Sequence, residues 1–225
     1  MKILAYDTSS DLLTIALFEN ERKIAEWEAH SFARHSSTLV PSIDKLLKER
    51  RISLSDIEVL AVGLGPGSFT GLRVGVASAK VFAYIQKMKI VGVPSLEAMA
   101  WEAPSFDGEI CVILDAKKEK LYAGIYEIKN NALKVVQKPK IAGIEMLLKN
   151  IKRPRLFLGN GVGVHRQKLL SVKFCQIAEN AEQIYPRASN IVKQALPLIQ
   201  KKKFSDPFRM EPLYLHPKDC NVMKK

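Results

Sequence analysis

The sequence has few of the residues on which several protein classes depend. Cysteine occurs only at Cys111, Cys175 and Cys220, and no two of these form a CxxC pair. This argues against a disulfide scaffold or a zinc ribbon and fits a reducing compartment. No segment approaches the ~18 uninterrupted apolar residues of a membrane-spanning helix, and Asp7 interrupts the opening before a signal-peptide core could form. We therefore expect a cytoplasmic protein that does not contact the membrane.

Motifs for metal-dependent or nucleophilic catalysis are also missing. The histidines closest in sequence, His30 and His35, lie five residues apart rather than at the i, i+4 spacing of two zinc ligands on one helix face. There is no GxSxG nucleophile elbow. No Gly-Lys-Ser/Thr closes a glycine-rich turn, so a Walker phosphate loop is excluded. The sequence therefore predicts no metal site and no nucleophilic residue.

The composition is that of an ordinary globular protein, but its charge is uneven. The chain has 225 residues, 47% hydrophobic and 26% charged, enough for one domain or two small ones. Residues 1–100 carry 12 Lys/Arg and 11 Asp/Glu, whereas residues 101–225 carry the other 23 basic and 12 acidic residues. This excess either attracts a polyanion such as RNA or only solvates the surface. The sequence leaves both interpretations open.

An internal repeat indicates the fold. The apolar strand pattern that ends at Asp7 recurs 108 residues later in a pattern that ends at Asp115. In both halves, turn residues then separate further apolar runs, and a helical pattern and another strand follow. Strand, strand, strand, helix, strand and helix, given twice, is the order of the ribonuclease-H-like lobe of actin-type ATPases. We expect an α/β fold of two such lobes, 1–103 and 104–225, the second smaller, degenerate and basic.

The first turn of each half is the position where such lobes hold a nucleotide phosphate. The first half offers Asp7, Thr8 and Ser9, which are small and polar but lack the glycine that lets backbone approach a phosphate closely. In the second half Asp115 is followed by neither glycine nor a hydroxyl. These residues are either a vestigial nucleotide site or simple strand ends with turn-forming side chains.

A glycine-rich loop and the helix after it are the most distinctive segment. The loop, between a buried strand and the helix, either binds an anion or a partner or is a tight turn with Thr70 as N-cap. The helix has small residues at four-residue spacing, which predicts a smooth ridge against which another helix can pack; that helix belongs to this chain or to another subunit. The loop residues are Gly65, Pro66, Gly67, Ser68, Phe69 and Thr70, and the ridge residues are Gly71, Gly75, Ala79 and Ala83.

The loop and several other segments resemble one known family. The run Gly65–Gly75 is similar to the signature of the bacterial TsaB (YeaZ) proteins, as are the opening Ile3–Ser9, His35 ahead of the first helix and Gly92–Leu96. The likeness spans nearly the whole chain. Members of the family act in forming threonylcarbamoyladenosine, the modified base beside the anticodon of certain tRNAs.

The resemblance implies an accessory role without catalytic residues. It implies a heterodimer with the related TsaD through a four-helix bundle, a further partner TsaE, homodimers when TsaD is absent, and tRNA contact only through the complex. ATP and metal are expected on the partner subunits, with no cofactor here. An alternative is a stand-alone ATPase or kinase of the actin-like fold that uses Asp7 and Asp115. The expected partner-binding residues are His35, Leu39, Ser42, Leu46, Gly71, Arg73, Val74, Gly75, Ser78, Ala79 and Phe82.

Overall fold

The computed structural model of the chain describes residues 1–30, 35–149 and 151–215. His216 and Cys220 lie outside the described residues. Within them, no helix is long and apolar enough to cross a membrane.

The first five-stranded sheet has the strand order β3-β2-β1-β4-β5. Strands β1 to β3 are antiparallel, and β4 and β5 continue the sheet parallel to β1. The carboxyl ends of β1, β4 and β5 therefore meet at one edge. The strands are β1 (Lys2–Asp7), β2 (Leu12–Glu19), β3 (Arg22–His30), β4 (Val59–Gly63) and β5 (Lys89–Val93).

The second five-stranded sheet repeats this topology. Its order, β10-β9-β6-β7-β8, is that of the first sheet read from the other edge, again with three antiparallel strands followed by two parallel ones. The predicted α/β class and the internal duplication are therefore confirmed. The strands are β6 (Glu109–Asp115), β7 (Leu121–Lys129), β8 (Ala132–Ala142), β9 (Arg155–Leu158) and β10 (Cys175–Ile177).

Six α-helices cover the sheets in the described part of the chain. Helix α1 begins at His35, and α2 begins at Phe69 with Ser68 as N-cap instead of the expected Thr70. The Ser68 hydroxyl accepts the Gly71 N–H, which satisfies one of the free amides of the first turn. The helices are α1 (His35–Glu49), α2 (Phe69–Gln86), α3 (Ser95–Ala100), α4 (Ile144–Leu148), α5 (Gly161–Leu170) and α6 (Ala188–Gln200).

Strand β1 is buried on both faces because helices lie on both sides of the first sheet. Leu4 and Tyr6 face the core shared with α1 and α2, whereas Ile3 and Ala5 face the core shared with α6. This burial explains why β1 is a continuous apolar run rather than an alternating one.

The last part of the chain returns to the first sheet. Helix α6 packs Ile191, Val192 and Ala195 against it, and Ser205 forms a bridge to Ile90 of β5. The predicted boundary at 103/104 stays a prediction as a division into folding units. The contacts show that the segment 188–215 packs on the first sheet although it follows the second in sequence.

Candidate functional site

Helix α2 is held very close to β1 by two glycines. The Thr8 hydroxyl donates to the Gly71 carbonyl and the Tyr6 hydroxyl to the Gly75 carbonyl, both at 2.8 Å. A Cβ built at Gly71 or Gly75 would lie closer than 3.0 Å to Thr8, a distance that real Cβ atoms do not show. The glycines therefore serve the packing of the helix on the chain's own first strand.

This geometry corrects the prediction that the ridge is a partner surface. Gly71, Gly75, Ala79 and Ala83 are all buried beneath α2, and Ala79 and Ala83 belong to the core of the first sheet. Small-residue spacing alone predicts close packing but not which helix or sheet is packed. The ridge is therefore an internal contact and cannot be the surface that meets another subunit.

The opposite side of α2 carries an apolar stripe, of which only Val74 was among the predicted partner-binding residues. We call Val74, Ala77, Val81 and Ile85 the outer stripe of α2; they follow the i, i+3, i+7, i+11 spacing of one helix face. Val81 is 52% exposed and Ile85 63%. A helix that is apolar on two opposite faces usually packs on both. Val74 is half-buried against the first core, whereas Ala77, Val81 and Ile85 are exposed.

The C-terminal segment runs beside the outer stripe. The Leu213 N–H donates to the Leu64 carbonyl at 2.8 Å, and Met210 is buried in the core under α2. Tyr214 packs on Phe69 and accepts a 3.2 Å hydrogen bond from Arg73 Nε. The segment therefore holds predicted site residues Phe69 and Arg73 in place, and Phe208 adds a further apolar side chain, 77% exposed, against Tyr84.

The predicted partner residues of α1 are mostly internal. Leu39 and Leu46 are buried in the first core. His35 is buried too, with Nε2 2.8 Å from the Ser10 carbonyl. These three residues are therefore corrected from partner-binding to packing residues. Ser42 is half-buried, and Val40, which was not predicted, is 47% exposed.

Four of the predicted partner residues of α2 keep some access to solvent, and Arg73 is the exposed one. Val74, Ser78 and Phe82 are half-buried on α2, with Val74 and Phe82 packed against the first core. Their role in partner binding stays a prediction.

Asp7 is fully buried within a hydrogen-bond network of its own chain. Its Oδ1 accepts from the Ser9 N–H at 2.7 Å and the Ser9 hydroxyl at 2.6 Å, and its Oδ2 accepts from the Ser95 hydroxyl at 2.5 Å. Burial raises the pKa of Asp7, and the serine hydrogen bonds together with His35 offset part of that rise. Ser95, at the start of α3, was not predicted as a site residue.

The donors of this first turn do not fit a bound phosphate. In nucleotide-binding lobes the turn after the first strand offers backbone and hydroxyl donors to the ligand. Here Ser9 directs its N–H and its hydroxyl at Asp7, and Thr8 directs its hydroxyl at α2. These donors of the turn are therefore committed to contacts within the chain, and its role as a vestigial nucleotide site stays a prediction.

The glycine-rich loop is braced against the same network. The Gly65 N–H donates to the Ser95 hydroxyl at 2.9 Å, and the Ser95 N–H donates back to the Gly65 carbonyl at 2.8 Å. The Ser68 N–H donates to the Ser9 carbonyl at 2.7 Å, and a Cβ at Gly67 would collide with that carbonyl. Pro66 is buried between them. Anion or partner binding by the loop stays a prediction.

The corresponding turn of the second lobe is open to solvent. Asp115 accepts the Lys117 N–H at 2.8 Å and pairs with the Lys117 ammonium at 3.1 Å. Slight burial alone would raise the pKa of Asp115, but these contacts lower it overall. The two turns thus have opposite surroundings, although the sequence predicts the same role for both.

Fold and site together define a class: an α/β protein with two five-stranded sheets of the same topology, in which the turn after the first strand is occupied by contacts within its own chain. The comparisons with known proteins give the family. A family model described as TsaD, tRNA N6-adenosine threonylcarbamoyltransferase, matches residues 30–214. The tRNA threonylcarbamoyladenosine biosynthesis protein TsaB of Bacillus subtilis is 35% identical over 96% of this chain and 94% of its own. The chain belongs to the TsaB (YeaZ) family, whose members are named for the biosynthesis of threonylcarbamoyladenosine in tRNA.

Further relatives agree with this family. The TsaB protein of Escherichia coli is 27% identical over 96% of this chain and 94% of its own length. A crystal structure of YeaZ from Pseudomonas aeruginosa superposes with a TM-score of 0.81 at 20% identity, covering 95% of this chain and 99% of that one. A second P. aeruginosa structure, described as an uncharacterized protein with similarity to peptidase YeaZ, gives a TM-score of 0.84 at 20% identity over 96% and 99% of the two chains. These structures show that the fold is shared over both lobes.

Proposed function

We propose that this chain is a non-catalytic accessory subunit that binds TsaD and activates it for threonylcarbamoyl transfer to the tRNA adenosine beside the anticodon. The observation that carries the proposal is the outer stripe of α2. In a family named for this modification, an exposed apolar helix face beside a braced loop is suited to receive a helix of a partner subunit.

The contacts at Asp7 support the non-catalytic part of the proposal. A stand-alone ATPase or kinase would need the first turn to present donors to phosphate, and Thr8 and Ser9 direct theirs inward. ATP and metal therefore belong on the partner subunits, TsaD and TsaE. Contact with tRNA in this proposal comes through the complex. The cytoplasmic location expected from the sequence stays a prediction.

The outer stripe also provides a surface for homodimers when TsaD is absent. A closed twofold dimer uses the same patch on both subunits, and Val81 and Ile85 lie near the carboxyl end of the helix, where two copies of α2 can cross. The homodimer and the heterodimer then compete for one surface.

The experiment is to mix the chain with its cognate TsaD and to measure mass by light scattering and affinity by calorimetry. Val81→Glu places a carboxylate in the outer stripe, and burying it unpaired would weaken the heterodimer at least ~100-fold, about 3 kcal/mol. Val164→Glu is the matched control, because Val164 is 67% exposed on α5 of the second lobe.

Both variants should keep wild-type thermal stability, since both positions are exposed. If the wild-type chain forms no heterodimer with TsaD, the proposed accessory function is refuted. If Val81→Glu binds TsaD as tightly as the wild type does, the outer stripe is not part of the interface, although TsaD is still the partner. Tight Mg-ATP binding by the isolated chain, abolished in Asp7→Ala, would favour the ATPase alternative.

A further inference from the structure

A groove lies at the end of the first sheet where strands β4 and β5 begin. Asp7 is at the other end, where these parallel strands finish. Its volume is about 450 Å³, and its floor is apolar and includes Phe204. Its lining includes Lys87, Lys89 and Lys202, which come from the end of α2, the start of β5 and the turn after α6. Two parts of the chain that are distant in sequence, the α2–β5 connection and the turn after α6, therefore bring lysines to one depression.

Backbone contacts fix these lysines relative to one another. The Lys202 N–H donates to the Ile199 carbonyl at 2.9 Å, and the Ser205 N–H donates to the Ile90 carbonyl at 2.8 Å, next to Lys89. Phe204 lies between these two contacts, and the Lys89 ammonium is 5.0 Å from the centre of its ring. The groove is thus built on ordered secondary structure rather than on a free loop.

The charge of the groove is not neutralised by its surroundings. Among the described residues none forms an ion pair with Lys87, Lys89 or Lys202, and all three are exposed. The acidic residue in the lining, Glu58, lies 3.4 Å from the Met1 amino nitrogen.

The partial negative charges at the nearby helix ends do not balance the positive charge of these lysines. Glu58 is already paired with the Met1 ammonium. The carboxyl ends of α2 and α6 each present roughly half a negative charge, so together they offset about one of the three lysine charges. An excess of about two positive charges therefore remains in the groove.

We propose that this groove binds the phosphate backbone of RNA directly, which adds an RNA contact by this chain to the accessory function proposed above and rests on it for the choice of RNA. Lysines around an apolar floor suit a nucleic-acid strand, whose phosphates displace counterions and whose bases or sugars pack on apolar groups. An acidic peptide is the competing occupant and is an outcome of the test.

The test compares two triple variants with equal loss of charge. Lys87→Gln, Lys89→Gln and Lys202→Gln together remove charge from the groove and keep the length of each side chain close to the original. The control changes three exposed lysines of the second sheet, Lys129, Lys138 and Lys140, to Gln. Binding of transcribed tRNA to each full chain is followed by fluorescence anisotropy from 50 to 200 mM salt, with thermal melting as the check on folding.

We expect the groove variant to bind tRNA about tenfold to a hundredfold more weakly at 0.1 M salt, with a salt slope lower by about two to three. The control variant should stay within about threefold of wild type. Equal losses in both variants, no tRNA binding by the wild type at 50 mM salt, or displacement of tRNA by polyglutamate at equal charge concentration would each overturn the proposal.

The outcome is separable from that of the accessory function. The groove variant should still form the TsaD heterodimer by light scattering, because the groove lies outside the outer stripe. If the wild-type chain forms no heterodimer with TsaD but binds tRNA through the groove, the accessory function is refuted and the RNA site is supported.

Discussion

The close approach of α2 to β1 makes Gly75 a residue whose cost of substitution can be worked out. A Cβ there would lie closer than 3.0 Å to Thr8 Oγ1 but 3.4 Å from Thr8 Cβ, an ordinary contact. Gly75→Ala therefore forces the hydroxyl away from its 2.8 Å hydrogen bond to the Gly71 carbonyl. Overpacking costs about 1–3 kcal/mol and the lost buried hydrogen bond about 1–3 kcal/mol, against ~1 kcal/mol gained in helix propensity.

The net expectation is a loss of about 1–5 kcal/mol of unfolding free energy, measured by urea titration followed by circular dichroism. In a Thr8→Ala background the same Gly75→Ala change should cost less than about 0.5 kcal/mol, because the obstructing hydroxyl is gone and the propensity gain remains. Gly143→Ala is the control, since a Cβ there meets nothing within 4 Å.

A Gly75→Ala protein as stable as wild type would refute this reasoning, as would equal costs in the two backgrounds. A large side chain at Gly75 would enter the chain's own core. It would therefore destabilise the monomer itself rather than block a partner surface on an intact fold.

Two further predictions concern buried charges. Burial raises the pKa of Glu97 to about 7, so its folded-state pKa exceeds the unfolded value, and the stability it contributes below pH ~4.5 is lost as pH rises through 7. Discounted for partial exposure, Glu97→Gln should be about 1–2 kcal/mol more stable than wild type at pH 8 and equal to it at pH 4.5 in urea titrations; a pH-independent difference would contradict this. Arg155 donates to Glu109 Oε2 at 2.8 Å and 2.5 Å, and both side chains are about nine-tenths buried. Arg155→Met should therefore cost about 1–3 kcal/mol, because Glu109 loses its buried partner and keeps only its 2.8 Å pair with the more exposed Arg153. Arg166→Met, in an exposed pair, should cost under about 1 kcal/mol. Similar costs for the two variants would show that burial does not set the energy of the Glu109 cluster.

Much of the fold could be predicted from the sequence because its signals are local and repeated. The apolar strands that end at Asp7 and Asp115 and the two helical patterns of the first half occupy the positions expected of them. The packing of α6 on the first sheet could not be predicted from the sequence. Its apolar face shows that Ile191 and Ala195 are buried, but periodicity does not say against which sheet.

The candidate site shows the same limit. Four-residue spacing of Gly71, Gly75 and Ala79 correctly predicted close packing, yet the contact is with Thr8 of the same chain. A usable signal was present in the apolar residues on the other side of α2, since a helix with Val81 and Ile85 opposite a buried face needs cover on both sides. The Ser95 hydroxyl beside Asp7 could not be predicted, because 88 residues separate them and only the fold brings them together.

The central claim is that the outer stripe of α2 faces another subunit, and thiol footprinting tests it most directly. Ala77→Cys places a reactive thiol in the middle of the stripe, and Val164→Cys places one on α5, both in a background with Cys175 and Cys220 changed to serine and with Cys111 buried. The account predicts that adding TsaD slows maleimide labelling of the Ala77→Cys variant at least tenfold and leaves labelling of the Val164→Cys variant unchanged. Equal labelling of the stripe with and without TsaD, in a mixture where light scattering shows the heterodimer, would contradict it.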